Sequence, residues 1–91
     1  MFEKNLMDYA NAMEEVTGRQ YFKAQYSKKK MHTIIYVTDN MENAQENLRQ
    51  ELRSDIIRNY GVHSAADYSF SINEISKEEI DENMIIVHVT E

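Results

Sequence analysis

The sequence predicts an α+β domain of order αββαββ, and three observations predict it. Two stretches of helical apolar spacing each run into one of only two glycines, Gly18 and Gly61. Two strand-like runs follow each glycine. The last run of each half is nearly the same apolar phrase, TIIYVT at Thr33–Thr38 and MIIVHVT at Met84–Thr90. Helix–strand–strand written twice is a circular permutation of the ferredoxin-like βαββαβ plan. The expected architecture is a four-stranded antiparallel-type sheet, two long helices on one face and a short third helix. At 91 residues the chain makes a single domain, 1–91.

The first helix rests on Phe2, Leu6, Tyr9, Met13 and Val16, spaced by threes and fours ahead of Gly18. A residue just past a helix takes positive φ, which glycine adopts without strain. YFKAQYS and HTIIYVT then alternate as strands around the lysine-rich turn SKKKM. The second helix carries Met41, Ala44, Leu48, Leu52, Ile56 and Tyr60 on one stripe. Asp39 as N-cap and Glu42 three residues into the helix would open it as a capping box. Gly61 would close it, with Val62 packing back on Ile57. DYSFSINEI and MIIVHVT form the second strand pair, with ISKEEI between them. There Ser76 and Glu79 make a capping box, and Ile75 with Ile80 a hydrophobic staple. That helix is expected to run about two turns, to Asn83.

The twin phrases are the densest in apolar residues, which places them side by side at the sheet centre. Aligning them pairs Val37 with Val89, Ile35 with Val87 and Thr33 with Ile85. This set is expected to face the helices with Phe22, Ala24, Tyr26, Tyr68, Phe70 and Ile72. The opposite set is Ile34, Tyr36, Ile86 and His88, rimmed by Tyr21, Lys23, Gln25, Ser69, Ser71 and Asn73. An open face with an apolar, aromatic centre and a polar rim has the anatomy of an interface. Ordinary β-propensity with a few exposed isoleucines is the plainer account.

Acidic residues outnumber basic ones 16 to 10, for a net charge of −6. That balance disfavours direct binding of a phosphate backbone. Most of the negative charge lies beyond residue 40. The absence of cysteine excludes disulfides, thiolate catalysis and zinc–thiolate sites, and fits a cytoplasmic location. No apolar run reaches the ~18 residues of a membrane span. The N-terminal residues do not read as a signal peptide.

Two isolated glycines make no phosphate loop, and HExxH, EF-hand and nucleophile-elbow patterns are missing. His32, His63 and His88 would form a metal or catalytic site only by converging with a carboxylate. Ser69 and Ser71 have no base at a recognisable spacing. Tyr21 and Tyr36 lie in no RNA-recognition motif. The run Lys28–Lys30 reads as a solvated turn, or else as a contact for a small anion or an acidic partner. No catalytic, cofactor-binding or metal-binding residue is assigned.

Glu74, Glu78, Glu79, Asp81 and Glu82 place five carboxylates in nine residues, offset only by Lys77. The plain account is a solvated helix start, where the dipole favours negative charge. The sharper account is a surface that imitates nucleic-acid phosphates or docks on a basic protein groove. The expected function is a non-enzymatic protein-binding domain, a small acidic inhibitor or adaptor occupying a basic, nucleic-acid-handling surface of a partner. In size, acidity and lack of catalytic motifs the chain resembles small phage inhibitors such as anti-CRISPR proteins, or toxin-immunity proteins. This likeness is one of bulk character, and no residue motif carries it. A second expectation is a homodimer through the open sheet face, with a structural or small-ligand role. A third is a histidine-centred enzyme.

Overall fold

A computed structural model of the chain describes residues 2–91. Its elements are β1 (Glu3–Leu6), α1 (Tyr9–Ala12), β2 (Arg19–Ser27), β3 (Met31–Asp39), α2 (Ala44–Tyr60), α3 (Val62–Ala65), β4 (Ser69–Ile75), a 3-10 turn (Lys77–Glu79) and β5 (Ile85–Thr90). They build a mixed α+β fold around one sheet of order β1-β5-β3-β2-β4. The sheet has five strands rather than the expected four, and α2 is the one long helix among the described residues. The twin phrases are neighbours inside the sheet, as expected, but they run parallel. The other pairings are antiparallel. No helix among the described residues is long and apolar enough to cross a membrane.

The expected first helix is the largest correction. Its stripe is not a buried face: Leu6 is 83% exposed, and Tyr9 and Val16 are also exposed. Asn5, Asp8 and Asn11 interrupt it with weak helix formers. The tertiary alternative is stronger. Without β1, the apolar β5 would present a bare row of backbone donors and acceptors at the sheet edge. β1 pairs with it from Glu3 opposite Thr90 to Leu6 opposite Val87. Lys4 ties β1 to α2, donating to Glu51 Oε1 at 2.6 Å and to the Asp55 carboxylate at 2.7 Å. Burial pulls the Lys4 ammonium down, but its bonds to Asp55 and Glu51 outweigh this and hold it above the ordinary lysine value.

Gly18 therefore ends no helix. It turns the chain into β2 at φ +80°, and a Cβ there would lie 1.8 Å from the Asn40 side chain. Asn40, itself at φ 55°, donates its N–H to the Gly18 carbonyl at 3.0 Å. Gly61 does close α2, at φ +85°, with its N–H on the Ile57 carbonyl at 2.8 Å. Val62 then starts α3, 67% exposed, and shares a notch with Ile57. At the other end of α2, Asp39 is the last residue of β3 and not an N-cap. The helix begins at Ala44 after Asn43, which sits at φ 48° with no side-chain cap bond.

α2 lays Ala44, Leu48, Leu52 and Ile56, four residues apart, onto Phe22, Ala24, Tyr36, Ile72 and Val89. Each such Leu or Ile contributes about 1.5–3 kcal/mol of apolar burial. Gln45 donates to the Ile72 carbonyl at 2.9 Å, and Arg49 lies 5.0 Å over the Phe70 ring, so α2 side chains also hold β4.

The register of the twin strands differs by one residue from that expected. Ile35 is opposite Ile86, and Val37 is opposite His88. A one-residue slip moves a strand's side chains to the other face. Ile34 and Tyr36 consequently join Val87 and Val89 under α2, while Ile35 and Val37 join Ile86 in a second core. Phe22, Ala24, Tyr26, Tyr68, Phe70 and Ile72 do lie on the helix side, as expected, although the strand carrying the first three, β2, lies inside the sheet.

The second face is not open. Ala12, Tyr21, Ile35, Val37, Ile80 and Ile86 form a core there, flanked by Met7, Met13, Ile75 and Met84. Residues 7–18 and 76–84 cover it. Tyr21 donates its hydroxyl to the Ala12 carbonyl at 2.9 Å, which satisfies both buried groups.

Candidate protein-docking surface

The acidic group begins where β4 ends. The capping box at Ser76 forms as expected: Glu78 donates its N–H to Ser76 Oγ at 3.3 Å, and Ser76 donates its N–H to Glu79 Oε2 at 3.0 Å. The staple is also present, with Ile75 and Ile80 both packed in the second core. The helix is a single 3-10 turn rather than two turns to Asn83. Ile80 is already extended, and the Asp81 carboxylate accepts the Asn83 N–H at 2.9 Å, starting a new turn.

Anchored this way, Glu74, Glu78, Glu79, Asp81 and Glu82 are all exposed. Lys77, the cation among them, pairs with Glu15 while its charge still acts on Glu78. That pairing, above all the Glu15 hydrogen bond, raises the Lys77 ammonium above its ordinary value. The Ser76 hydroxyl, followed by the backbone N–H of Glu78, holds the Glu78 carboxyl below its ordinary value. Glu74 sits on the α2 side, opposite Phe22, and lines a shallow depression of about 350 Å³ with Glu46, Gln20 and Gln45. Glu46 was missed from sequence because α2 and β4 meet only in the folded chain. The acidic surface thus wraps around the end of β4 from one sheet face toward the other.

The sheet-face quartet does not assemble. Tyr36 is 2% exposed beneath α2, and Ile86 is 3% exposed in the second core. Ile34 packs beside Tyr36 on the α2 side. The one-residue register shift is what splits Ile34 and Tyr36 from Ile86 and His88. Burial, reinforced by Asp55 and Glu51, raises the Tyr36 hydroxyl far above an ordinary tyrosine.

The histidines do not converge. His32 stacks on Tyr26, His63 lies in α3, and His88 Nε2 is 2.8 Å from Asp39 Oδ2. Among the described residues no group of three or more acidic or histidine side chains is placed to hold a metal ion. Asp39 links β3 to two strands, because Arg19 Nε also donates to its Oδ1 at 3.0 Å. Burial pushes the Asp39 carboxyl up, but the bonds from Arg19 and His88 outweigh it and leave it below its ordinary value. Arg19 also donates from Nη1 to the Asn11 carbonyl at 2.9 Å, so the cluster helps fasten the 7–18 segment.

No protein-family model, curated protein or solved structure matches the chain.

Proposed function

We propose that the chain is an intracellular, non-enzymatic protein-binding domain, a small acidic inhibitor or adaptor. Its acidic margin occupies a basic surface of a partner, of the kind that handles nucleic acid. The observation that carries this reading is the arrangement around Ser76. Five carboxylates stand exposed on and beside an ordered turn, and the one cation among them is paired with a further carboxylate, Glu15. Fixed carboxylates of one sign set up a field that steers a basic partner and selects its orientation. A capped and stapled turn presents them at little further cost in ordering.

The test is a triple reversal, Glu78→Lys, Glu79→Lys and Glu82→Lys, of exposed charges; because Glu79→Lys also removes the acceptor of the Ser76 N–H, Glu82→Lys alone, outside the capping box, serves as the control. Circular dichroism first establishes that the variant is folded. Partners captured by wild type from host extract at low salt should then be released by a nucleic-acid competitor. Association of the purified partner should slow by roughly tenfold or more in the variant. A folded variant that captures the same partner at the wild-type rate would mean that the carboxylates are only a solvated turn.

A further inference from the structure

The tip of the β2–β3 hairpin is a cationic, ring-lined end on an acidic chain. Lys28, Lys29 and Lys30 are consecutive and exposed there. With His32 and Tyr68 they line an open concavity of about 240 Å³. Lys28 has a distant counter-ion, Asp67, at 3.8 Å. Among the described residues Lys29 and Lys30 take part in no ion pair. Three adjacent ammonium groups repel one another, and an anion placed among them relieves that repulsion.

Beside the lysines runs a row of rings drawn from distant parts of the sequence. His32 on β3 stacks on Tyr26 of β2, with centroids 4.9 Å apart and planes at 19°. Tyr26 meets Tyr68 at 6.3 Å, and Tyr68 stacks on Tyr60, the last residue of α2, at 4.8 Å. One face of the His32 ring is taken by Tyr26. On its other side the sheet has stopped, because the β3–β5 pairing begins only at Ile34 opposite Ile85. The row therefore ends in an imidazole with no strand beside it, next to unpaired ammonium groups.

We propose that this end binds a small phosphate ester that also bears a planar ring, such as a nucleoside monophosphate, the lysines holding the phosphate and the His32 ring stacking on the ligand's ring. The size of the concavity argues for a small ligand. It falls below the ~300–1,000 Å³ that encloses a whole drug-sized molecule, so it takes one phosphate and one ring edge. The charge argues the same way. A net charge of −6 works against each further phosphate that reaches past the tip, which disfavours a nucleic-acid strand. The site is separate from the acidic margin, which lies toward the other end of β2, where Tyr21 faces Ile75.

Adenosine monophosphate, ribose 5-phosphate and adenosine, titrated into the ¹⁵N-labelled chain and followed by NMR, test the proposal. AMP should shift the amides of Lys28–His32 and Tyr68 selectively, and bind roughly tenfold tighter than either fragment, since both stacking and charge contribute. Lys29→Glu with Lys30→Glu should weaken AMP and ribose 5-phosphate alike by about tenfold or more. His32→Leu, which keeps apolar bulk but removes the ring, should abolish the advantage of AMP over ribose 5-phosphate and leave the sugar phosphate unchanged. Shifts scattered over the molecule, or unchanged affinity after the double lysine reversal, would overturn the site. A single-stranded oligonucleotide that binds at the tip where AMP does not would overturn the ligand class.

Discussion

The two faces of the sheet are covered by different means. On one, a 17-residue helix supplies a regular apolar row and satisfies its own backbone. On the other, residues 7–18 and 76–84 do the work with little regular structure, holding on through Ala12, Ile80 and the Tyr21–Ala12 hydrogen bond. The difference teaches where stability is shared and where it is local. A continuous helical face distributes its energy over many positions. An irregular cover rests on a few anchors and can open without the rest of the fold.

Truncation of the helical cover is the strongest way to test this contrast. Leu48 is fully buried among sheet residues from several strands, so Leu48→Ala should cost about 3–5 kcal/mol. Urea denaturation should report the loss, with faster hydrogen exchange across every strand. Ile80→Ala should cost less, about 2–3 kcal/mol, because a loop can settle into the space it leaves. Its hydrogen exchange should rise first in 76–84, with the β2–β3 hairpin still protected. A uniform rise would erase the distinction between the covers.

The smallest effect concerns Asp39, which lies where the irregular cover is tied to β2, β3 and β5. Its carboxyl is held below the ordinary value by Arg19 and His88 against the pull of burial. A depressed carboxyl stabilises the fold fully above its unfolded pKa of ~3.9, and that contribution fades as pH falls through the folded value. Asp39→Asn should therefore cost under about 1 kcal/mol at neutral pH, as partly exposed pairs do. The gap from wild type should close in acid. A gap that stayed constant from neutral pH to below pH ~3 would mean that the carboxylate charge contributes nothing.

The contrast between the covers also explains what could be read from the sequence. α2, the β2–β3 hairpin, β4, β5 and the Ser76 box were legible because each carries a local signal: a four-residue stripe, alternation around a turn, or a cap with its staple. The twin phrases were legible as neighbours, but not their register. Ile34, Ile35, Tyr36 and Val37 are apolar in succession because β3 is packed on both faces. A strand with no polar face has no alternation to give its parity. β1 was hidden because its reason for existing is the edge of β5, far away in the chain. The exposure of the five carboxylates followed from charge alone. The row of His32, Tyr26, Tyr68 and Tyr60 did not, since only the topology brings those rings together.

The pairing of β1 with β5 has a consequence for how the protein is made. Glu3 leaves the ribosome well before its partner Thr90, which lies far along the chain. During synthesis the β2–β3 hairpin and α2 can collapse onto each other, while β1 waits for a strand not yet translated. Pairings between such distant segments close slowly, since chain entropy is lost before any contact is gained. The nascent domain therefore carries an unpaired β3 edge until β5 emerges, and in that interval it is most exposed to aggregation and to chaperones.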